Sequence, residues 1–156
     1  MRRNNALAKL QAGKLIFGPL VVFDSPDLAE HLAHLGFDWV WLDWQHGQFT
    51  EHTLNNALGR FLAVESVPLV RVKSHEPGTI SRVLDMGAMG VIVPMVQNAE
   101  QTRAVSLPVY YPPLGMRSRG GTRLALIGGS GAPDYYVHAN DEVMLVVMVE
   151  TEEAVA

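Results

Sequence analysis

The sequence predicts an α/β fold of the (β/α)8 TIM-barrel type, represented by about five βα units in a single domain over residues 1–156. Short apolar runs rich in Val, Ile, Leu and Trp alternate with amphipathic stretches, and the apolar residues within a run are consecutive. Consecutive apolar residues are typical of parallel strands that are buried on both faces. Ionisable residues follow several runs, at the end of the strand where barrels carry their functional groups. A βα unit repeated in this way favours a parallel sheet.

Five apolar runs are predicted as strands, at residues 16–23, 39–44, 69–72, 91–95 and 144–149. The first helix should follow Ser25 as its cap, carry Pro26 in its first turn and end at Gly36. Its predicted inner stripe consists of three leucines, Leu28, Leu32 and Leu35. The other predicted helices are a second from Thr50 with Leu54, Leu58, Phe61 and Leu62 inside, a third with Ile80, Val83 and Leu84 that stops at Gly87, and a fourth from Ala99 to before Pro108.

Two stretches depart from this rhythm. Residues 105–141 contain many Gly and Pro residues and are predicted to form a long functional loop. After the fifth strand, Thr151 suits a helix cap and Glu152 and Glu153 suit the first turn of a helix that the chain does not complete. A parallel barrel needs eight strands and typically about 250 residues, so we expect a truncated chain. The alternative is an open five-stranded sheet that is complete as written.

Composition narrows the class of protein. The chain is 48% hydrophobic and 18% charged, which allows a sizeable buried core. Its formal net charge of -4 gives no electrostatic footprint for nucleic acid, and its lack of cysteine excludes disulfides, thiolate metal ligands and a cysteine nucleophile. No run approaches the roughly 18 apolar residues of a membrane span, and no apolar segment follows Met1-Arg2-Arg3. We therefore expect a cytoplasmic protein without nucleic-acid or membrane partners.

Four ionisable residues lie at the carboxyl ends of predicted strands. Asp43 and His46 follow the second strand, Arg71 ends the third and Glu150 ends the fifth. A buried carboxylate normally needs a partner or a metal, an arginine suits an oxyanion, and a histidine near an aspartate suits proton transfer. Together these residue types indicate chemistry that stabilises an enolate. Taken singly, Asp43 could cap the next loop, His46 could be structural, and Arg71 and Glu150 could form a structural ion pair.

Two other features carry less weight. His31 and His34 have the i, i+3 spacing of a metal pair on the first helix, but no third ligand is near, so a solvated helix face is favoured. The glycine-rich residues 128–131 lack the strand-turn-helix context of a phosphate-binding loop. We predict no other cofactor-binding motif.

Six segments, in order and at matching spacing, resemble the HpcH/HpaI aldolase family. They are FDWVWLDWQHG (37–47), PLVRV (68–72), VLDMGA (83–88), VIVPMV (91–96), YPPLGMR (111–117) and VET (149–151). The resemblance covers residues 17–156, nearly the whole chain. It is much more specific than any single motif.

The resemblance implies a class II pyruvate aldolase that cleaves 4-hydroxy-2-oxoacids to pyruvate and an aldehyde, in the catabolism of aromatic compounds or sugar acids. It implies a divalent cation, Mg²⁺, Mn²⁺ or Co²⁺, with Glu150 as one ligand and a pyruvate enolate stabilised by the metal and Arg71. His46 would move the proton of the aldol hydroxyl, and Asp43 would fix the tautomer of His46. Asp85 and Gln45 match positions that support the site. A homo-oligomer is expected.

Three departures from the family pattern stand out. Gln45 replaces the usual Glu before the histidine, Met148 replaces the usual Gln before the metal ligand, and the second metal carboxylate of the family comes from a sixth strand. Two alternatives stay open. One is an acyl-CoA-cleaving lyase of a related barrel family, and the other is a non-catalytic half-barrel that assembles through its exposed sheet edges.

Overall fold

A computed structural model of the chain describes residues 1–155 as five strands and eight helices. The strands are β1 (Leu20–Val21), β2 (Trp39–Asp43), β3 (Val67–Arg71), β4 (Gly90–Val93) and β5 (Met144–Val147). The helices are α1 (Asn5–Gln11), α2 (Pro26–His34), α3 (Glu51–Arg60), α4 (Pro77–Asp85), α5 (Ala99–Ser106), α6 (Leu124–Ile127), α7 (Ala132–Glu142) and α8 (Glu152–Val155), with a 3-10 turn at Phe61–Ala63.

The five strands form one parallel sheet in the order in which they occur along the chain, β1-β2-β3-β4-β5. A doubly wound sheet reverses its strand order at a switch point, whereas a barrel wall adds each strand beside the last. The sheet order therefore confirms the predicted α/β fold of barrel type. The strand register fixes what lies side by side: Asp43 pairs with Arg71, Arg71 with Ile92, and Ile92 with Val146.

The main core lies between one face of the sheet and the helices. Strand residues such as Val40, Leu42, Val70 and Val91 are fully buried there. The residues predicted for the inner faces of α3 and α4 join them, namely Leu54, Leu58, Phe61, Ile80, Val83 and Leu84. Leu62 does not, because it is 38% exposed beyond the end of α3.

The predicted leucine stripe of α2 is wrong for Leu28 and Leu35, whereas Leu32 packs against the core as predicted. Ala29 and Ala33 are the buried residues of α2, whereas Leu28 is 38% and Leu35 70% exposed. Small side chains let α2 lie close to β2 and α3, so the helix is rotated relative to the leucine pattern. The caps were predicted correctly: Ser25 accepts from the backbone amide of Leu28 and Pro26 opens the helix.

Helix α1, which the sequence did not predict, covers the amino ends of the strands on the opposite sheet face. Its Ala6 is buried among Val67, Met89 and Met144. The Asn4 side chain caps α1 by accepting from the Leu7 amide, and it donates to the carbonyl of Met89. α1 thus closes the end of the sheet that lies away from the predicted functional residues.

The prediction of a long functional loop over residues 105–141 is also wrong. This segment contains α6 and α7, and Tyr111 and Tyr135 within it are 3% and 1% exposed. Gly131, at a φ of 103°, precedes α7, and Pro133 lies in its first turn. Gly and Pro therefore mark the start of a helix here. The predicted first and fifth strands are shortened to Leu20–Val21 and Met144–Val147. No helix within residues 1–155 has the length and hydropathy to cross a bilayer.

Candidate active site

The centre of the candidate site is an ion pair between the last residues of β2 and β3. Arg71 donates from Nε to Asp43 Oδ1 at 2.9 Å and from Nη2 to Asp43 Oδ2 at 2.5 Å. The side chain of Asp43 is 1% exposed and that of Arg71 is 12% exposed. A bidentate pair of this kind has a fixed planar geometry. The strand register therefore locks the guanidinium at the carboxyl edge of the sheet.

Asp43 also organises the loop that carries His46. Its Oδ1 accepts from the backbone amides of Gln45 and His46 at 3.0 and 3.2 Å. The loop turns back so closely that a Cβ on Gly47 would lie 2.1 Å from the Asp43 carbonyl oxygen, so only glycine fits there. The expected contact between Asp43 and the imidazole of His46 is absent within residues 1–155. Both carboxylate oxygens instead bind Arg71, and the imidazole is exposed.

Charge and burial set the ionisation of this pair. Burial alone would raise the pKa of Asp43, but the hydrogen bonds from Arg71, His46 and Gln45 and the positive charge of Arg71 outweigh it and lower the pKa. The hydrogen bond to Asp43 raises the pKa of Arg71 against the effect of burial, and the negative charges of Asp43 and Glu150 raise it further. Asp43 is therefore a fixed anion at neutral pH, unsuited to proton transfer. Arg71 is a fixed cation.

One nitrogen of the Arg71 guanidinium, Nη1, is not used in the pair with Asp43. Its guanidinium carbon lies 4.9 Å from the centre of the Trp41 ring, two residues before Asp43 on the same strand face. Asp43 occupies Nε and Nη2, and in the described part of the chain Nη1 makes no hydrogen bond to protein. A cation held on two sides with one donor unoccupied suits the binding of an oxyanion.

Glu150 lies on the same side of the sheet edge as Arg71. Arg71 pairs with Ile92 and Ile92 pairs with Val146, so these three side chains lie on one face of the sheet. Side chains alternate between the two faces along an extended chain, which places Glu150 on the face of Val146. Its Oε2 accepts from the backbone amide of Met95 at 2.8 Å. Met95 has a φ of 53°, a conformation that the sequence did not signal, because methionine seldom adopts it.

The described residues do not by themselves form a metal site. Residues 1–155 contain no group of three His, Asp or Glu side chains that could hold an ion together. Both carboxylate oxygens of Asp43 bind Arg71, and Oε2 of Glu150 accepts from the Met95 amide. One oxygen ligand is not enough for a hard divalent cation.

The two residues predicted to support the site lie in different places. Gln45 lies in the loop after β2, where its backbone amide binds Asp43. Asp85 ends α4, next to the amino end of β4, and accepts from the buried Arg117 at 2.8 Å, while Arg117 also donates to Tyr135. Asp85 is thus a partner of the helix layer and, within one chain, lies apart from Asp43 and Arg71.

Comparison with known proteins identifies the family of the chain. The family model of the HpcH/HpaI aldolase/citrate lyase group matches residues 18–156. The chain belongs to this family. It is 38% identical to a 4-hydroxy-2-oxovalerate aldolase from Novosphingobium aromaticivorans and 35% identical to a 4-hydroxy-2-oxo-heptane-1,7-dioate aldolase from Escherichia coli. Each comparison covers 97% of this chain and 58% of the relative.

A solved structure of an HpcH/HpaI aldolase from Desulfitobacterium hafniense has the same architecture. It matches 96% of this chain with a TM-score of 0.85 and 29% identity. The chain covers 58% of that protein. The HpcH/HpaI chain described here thus spans somewhat more than half the length of the relatives that it matches.

Proposed function

We propose that the protein containing this chain is a metal-dependent aldolase that cleaves 4-hydroxy-2-oxoacids to pyruvate and an aldehyde. Membership of the HpcH/HpaI family and the aldolase names of its curated relatives support this proposal. The observation that carries it is the buried Asp43–Arg71 pair, which leaves Arg71 Nη1 free at the carboxyl edge of the sheet beside Glu150.

Arg71 is proposed to stabilise the enolate oxygen of pyruvate. Cleavage of the carbon–carbon bond leaves negative charge on the carbon next to the oxo group, and that charge spreads onto the oxo oxygen. A cation already held by Asp43 and Trp41 needs little rearrangement to meet this charge. The contribution of Asp43 is then to hold the guanidinium in place and keep it charged.

His46 is proposed to move the proton of the aldol hydroxyl. Its imidazole is exposed at the carboxyl edge, and the loop that carries it is held by the Asp43 carboxylate and by the close turn at Gly47. Histidine changes protonation near neutral pH, which suits this role. In the cleavage direction it takes the hydroxyl proton as the carbon–carbon bond breaks.

Glu150 is proposed to supply one oxygen ligand to a divalent cation, Mg²⁺, Mn²⁺ or Co²⁺. Such a cation acts as a Lewis acid on the 2-oxo group. The HpcH/HpaI resemblance assigns the second carboxylate ligand to a sixth strand, so the proposal for the metal applies to a protein that has that strand.

The proposed reaction is tested by measuring pyruvate release from 4-hydroxy-2-oxovalerate and 4-hydroxy-2-oxo-heptane-1,7-dioate with a coupled dehydrogenase. We expect activity that is lost on chelation with EDTA and restored by Mn²⁺ or Mg²⁺. The coupling enzyme alone, with EDTA and added pyruvate, is the control. Activity that survives complete removal of metal would contradict the metal-dependent proposal.

A second candidate follows from the family description, which includes citrate lyases. These reactions also pass through an enolate, so Arg71 would keep the same role. Incubation with citrate or with an acyl-CoA ester of a hydroxyacid separates the two candidates. Cleavage of these substrates without cleavage of a 4-hydroxy-2-oxoacid would favour the second.

A further inference from the structure

The peptide group between Pro94 and Met95 lies at the carboxyl end of β4, next to the proposed metal ligand. Within residues 1–155, Met95 is the one non-glycine residue with a positive φ, at 53°. This conformation is strained for a methionine, so neighbouring contacts must hold it in place.

Two hydrogen bonds hold this peptide group, one at each end. Its carbonyl oxygen, on Pro94, lies 2.6 Å from His75 Nε2. Its amide, on Met95, donates to Glu150 Oε2 at 2.8 Å. A carbonyl oxygen can only accept, so His75 Nε2 carries a hydrogen and donates. His75 belongs to the loop between β3 and α4, and no sequence motif assigned a role to it.

We propose that His75 is a positioning residue that orients the Glu150 carboxylate through the Pro94–Met95 peptide. This inference rests on the proposed function, in which Glu150 is a ligand. A donor on the carbonyl polarises the peptide and strengthens donation by its amide, because hydrogen bonds in a chain reinforce one another. The two bonds also fix the rotation of the peptide plane. Rotation of this plane would move the amide of Met95 away from Glu150.

The arrangement leaves part of the carboxylate available. Oε2 of Glu150 is occupied by the Met95 amide, and in the described part of the chain Oε1 makes no hydrogen bond to protein. A carboxylate held in this way presents its other oxygen in a fixed direction. Residues that hydrogen-bond to metal ligands commonly orient them in this manner. His75 and Arg71 are part of the same connection, because β3 ends at Arg71 and His75 follows four residues later. The same chain segment therefore carries Arg71, the proposed oxyanion-binding residue, and His75, which orients the Glu150 carboxylate.

The first test observes the Met95 amide directly and needs no activity. The chain has seven methionines, so labelling with [15N]methionine gives a short amide spectrum, and loss of one signal in Met95→Leu assigns Met95. We expect the Met95 signal to shift in His75→Ala and in Glu150→Gln. His34→Ala is the matched control, because His34 is exposed on α2. It should leave the Met95 signal unchanged.

The second test measures Mn²⁺ affinity by electron paramagnetic resonance, in the protein that contains this chain and the sixth strand. Removing a residue that orients a ligand typically weakens metal binding by about 10- to 100-fold. We expect a loss of about 10-fold in His75→Ala. His75→Gln, whose amide can donate to Pro94, should recover most of the loss, and circular dichroism checks that each variant is folded. kcat at saturating Mn²⁺ should change much less than the affinity.

The outcomes separate the two proposals. If the Met95 signal and Mn²⁺ affinity of His75→Ala both equal those of the wild type, the positioning role is overturned. If the wild-type protein that contains this chain and the sixth strand binds no Mn²⁺, the metal part of the proposed function fails. In that case the Met95 signal alone decides the inference about His75.

Discussion

At the scale of single residues, Asp43 shows both what a sequence can predict and what it cannot. Its position could be predicted, because an apolar run that ends in Asp, beside another that ends in Arg, places two charged residues at the same sheet edge. Its partner could not be predicted, since the choice between the Arg71 guanidinium and the His46 ring depends on distances of a few ångströms. Strand register decides it in favour of Arg71. The φ of Met95 was equally hidden, because it depends on contacts from two other loops.

A substitution of Asp43 tests its role as the anchor of Arg71. In Asp43→Asn we expect the free energy of unfolding at pH 7 to fall by about 3 kcal/mol, because breaking a buried pair leaves a cation unpaired. Denaturant unfolding by fluorescence measures this. Asp24→Asn, at an exposed position, is the control and should change stability by less than about 0.5 kcal/mol. A similarly small change in Asp43→Asn would mean that the pair contributes little.

The lowered pKa of Asp43 also predicts how the stability of the protein depends on pH. The folded pKa of Asp43 is lowered, so its contribution to stability is fully present above the ordinary pKa of about 3.9 and is lost as the pH falls through the lower folded value. Wild-type protein should therefore lose stability below about pH 4 more steeply than Asp43→Asn. Parallel acid-dependence curves for the two proteins would contradict the lowered pKa.

At the scale of elements, helices with strong caps and regular apolar spacing were predicted, and those shaped by long-range contacts were not. α3 and α4 bury the predicted residues because their stripes contain large side chains. The leucine pattern was misleading for α2, because its fully buried residues are Ala29 and Ala33, while Leu28 and Leu35 are exposed. α1 and α7 are stabilised by distant partners, such as the Asn4 bonds to Met89 and Glu142, that no local window contains.

The rotation of α2 leads to a pair of contrasting substitutions. Ala29→Leu adds volume at a site that is 0% exposed and should lower the free energy of unfolding by about 1–3 kcal/mol. Leu35→Ala, at a site that is 70% exposed, should change it by less than about 0.5 kcal/mol. Denaturant unfolding of the two variants measures this contrast. If Leu35→Ala is the more damaging of the two, the leucine stripe faces the core after all.

At the scale of the whole molecule, the strand order and the family membership both indicate a barrel-type α/β fold. A parallel sheet of consecutive strands places Asp43, Arg71 and Glu150 on one edge, while α1, Asp85 and the buried Arg117 lie toward the other edge. The chain spans 58% of the length of the 4-hydroxy-2-oxovalerate aldolase that it matches, and residues 1–155 form five strands, whereas a closed barrel of this type has eight. The sequence predicted the edge that carries Asp43, Arg71 and Glu150, because polar residues follow apolar runs there. It did not predict α1, and it placed Asp85 beside the site, whereas Asp85 pairs with Arg117 in the helix layer.

The central claim is that Arg71 meets charge that develops in the enolate, and proton exchange tests it most directly. Transfer of the pyruvate methyl protons to deuterated solvent, followed by proton NMR, reports enolate formation without any aldehyde. In the protein that contains this chain, Arg71→Ala should lower the exchange rate and the kcat for cleavage by about 10²- to 10³-fold. Arg71→Lys should recover little, because lysine lacks the planar fork that binds Asp43 and the oxyanion together. A folded Arg71→Ala variant that keeps the wild-type exchange rate would show that Arg71 is only the structural partner of Asp43.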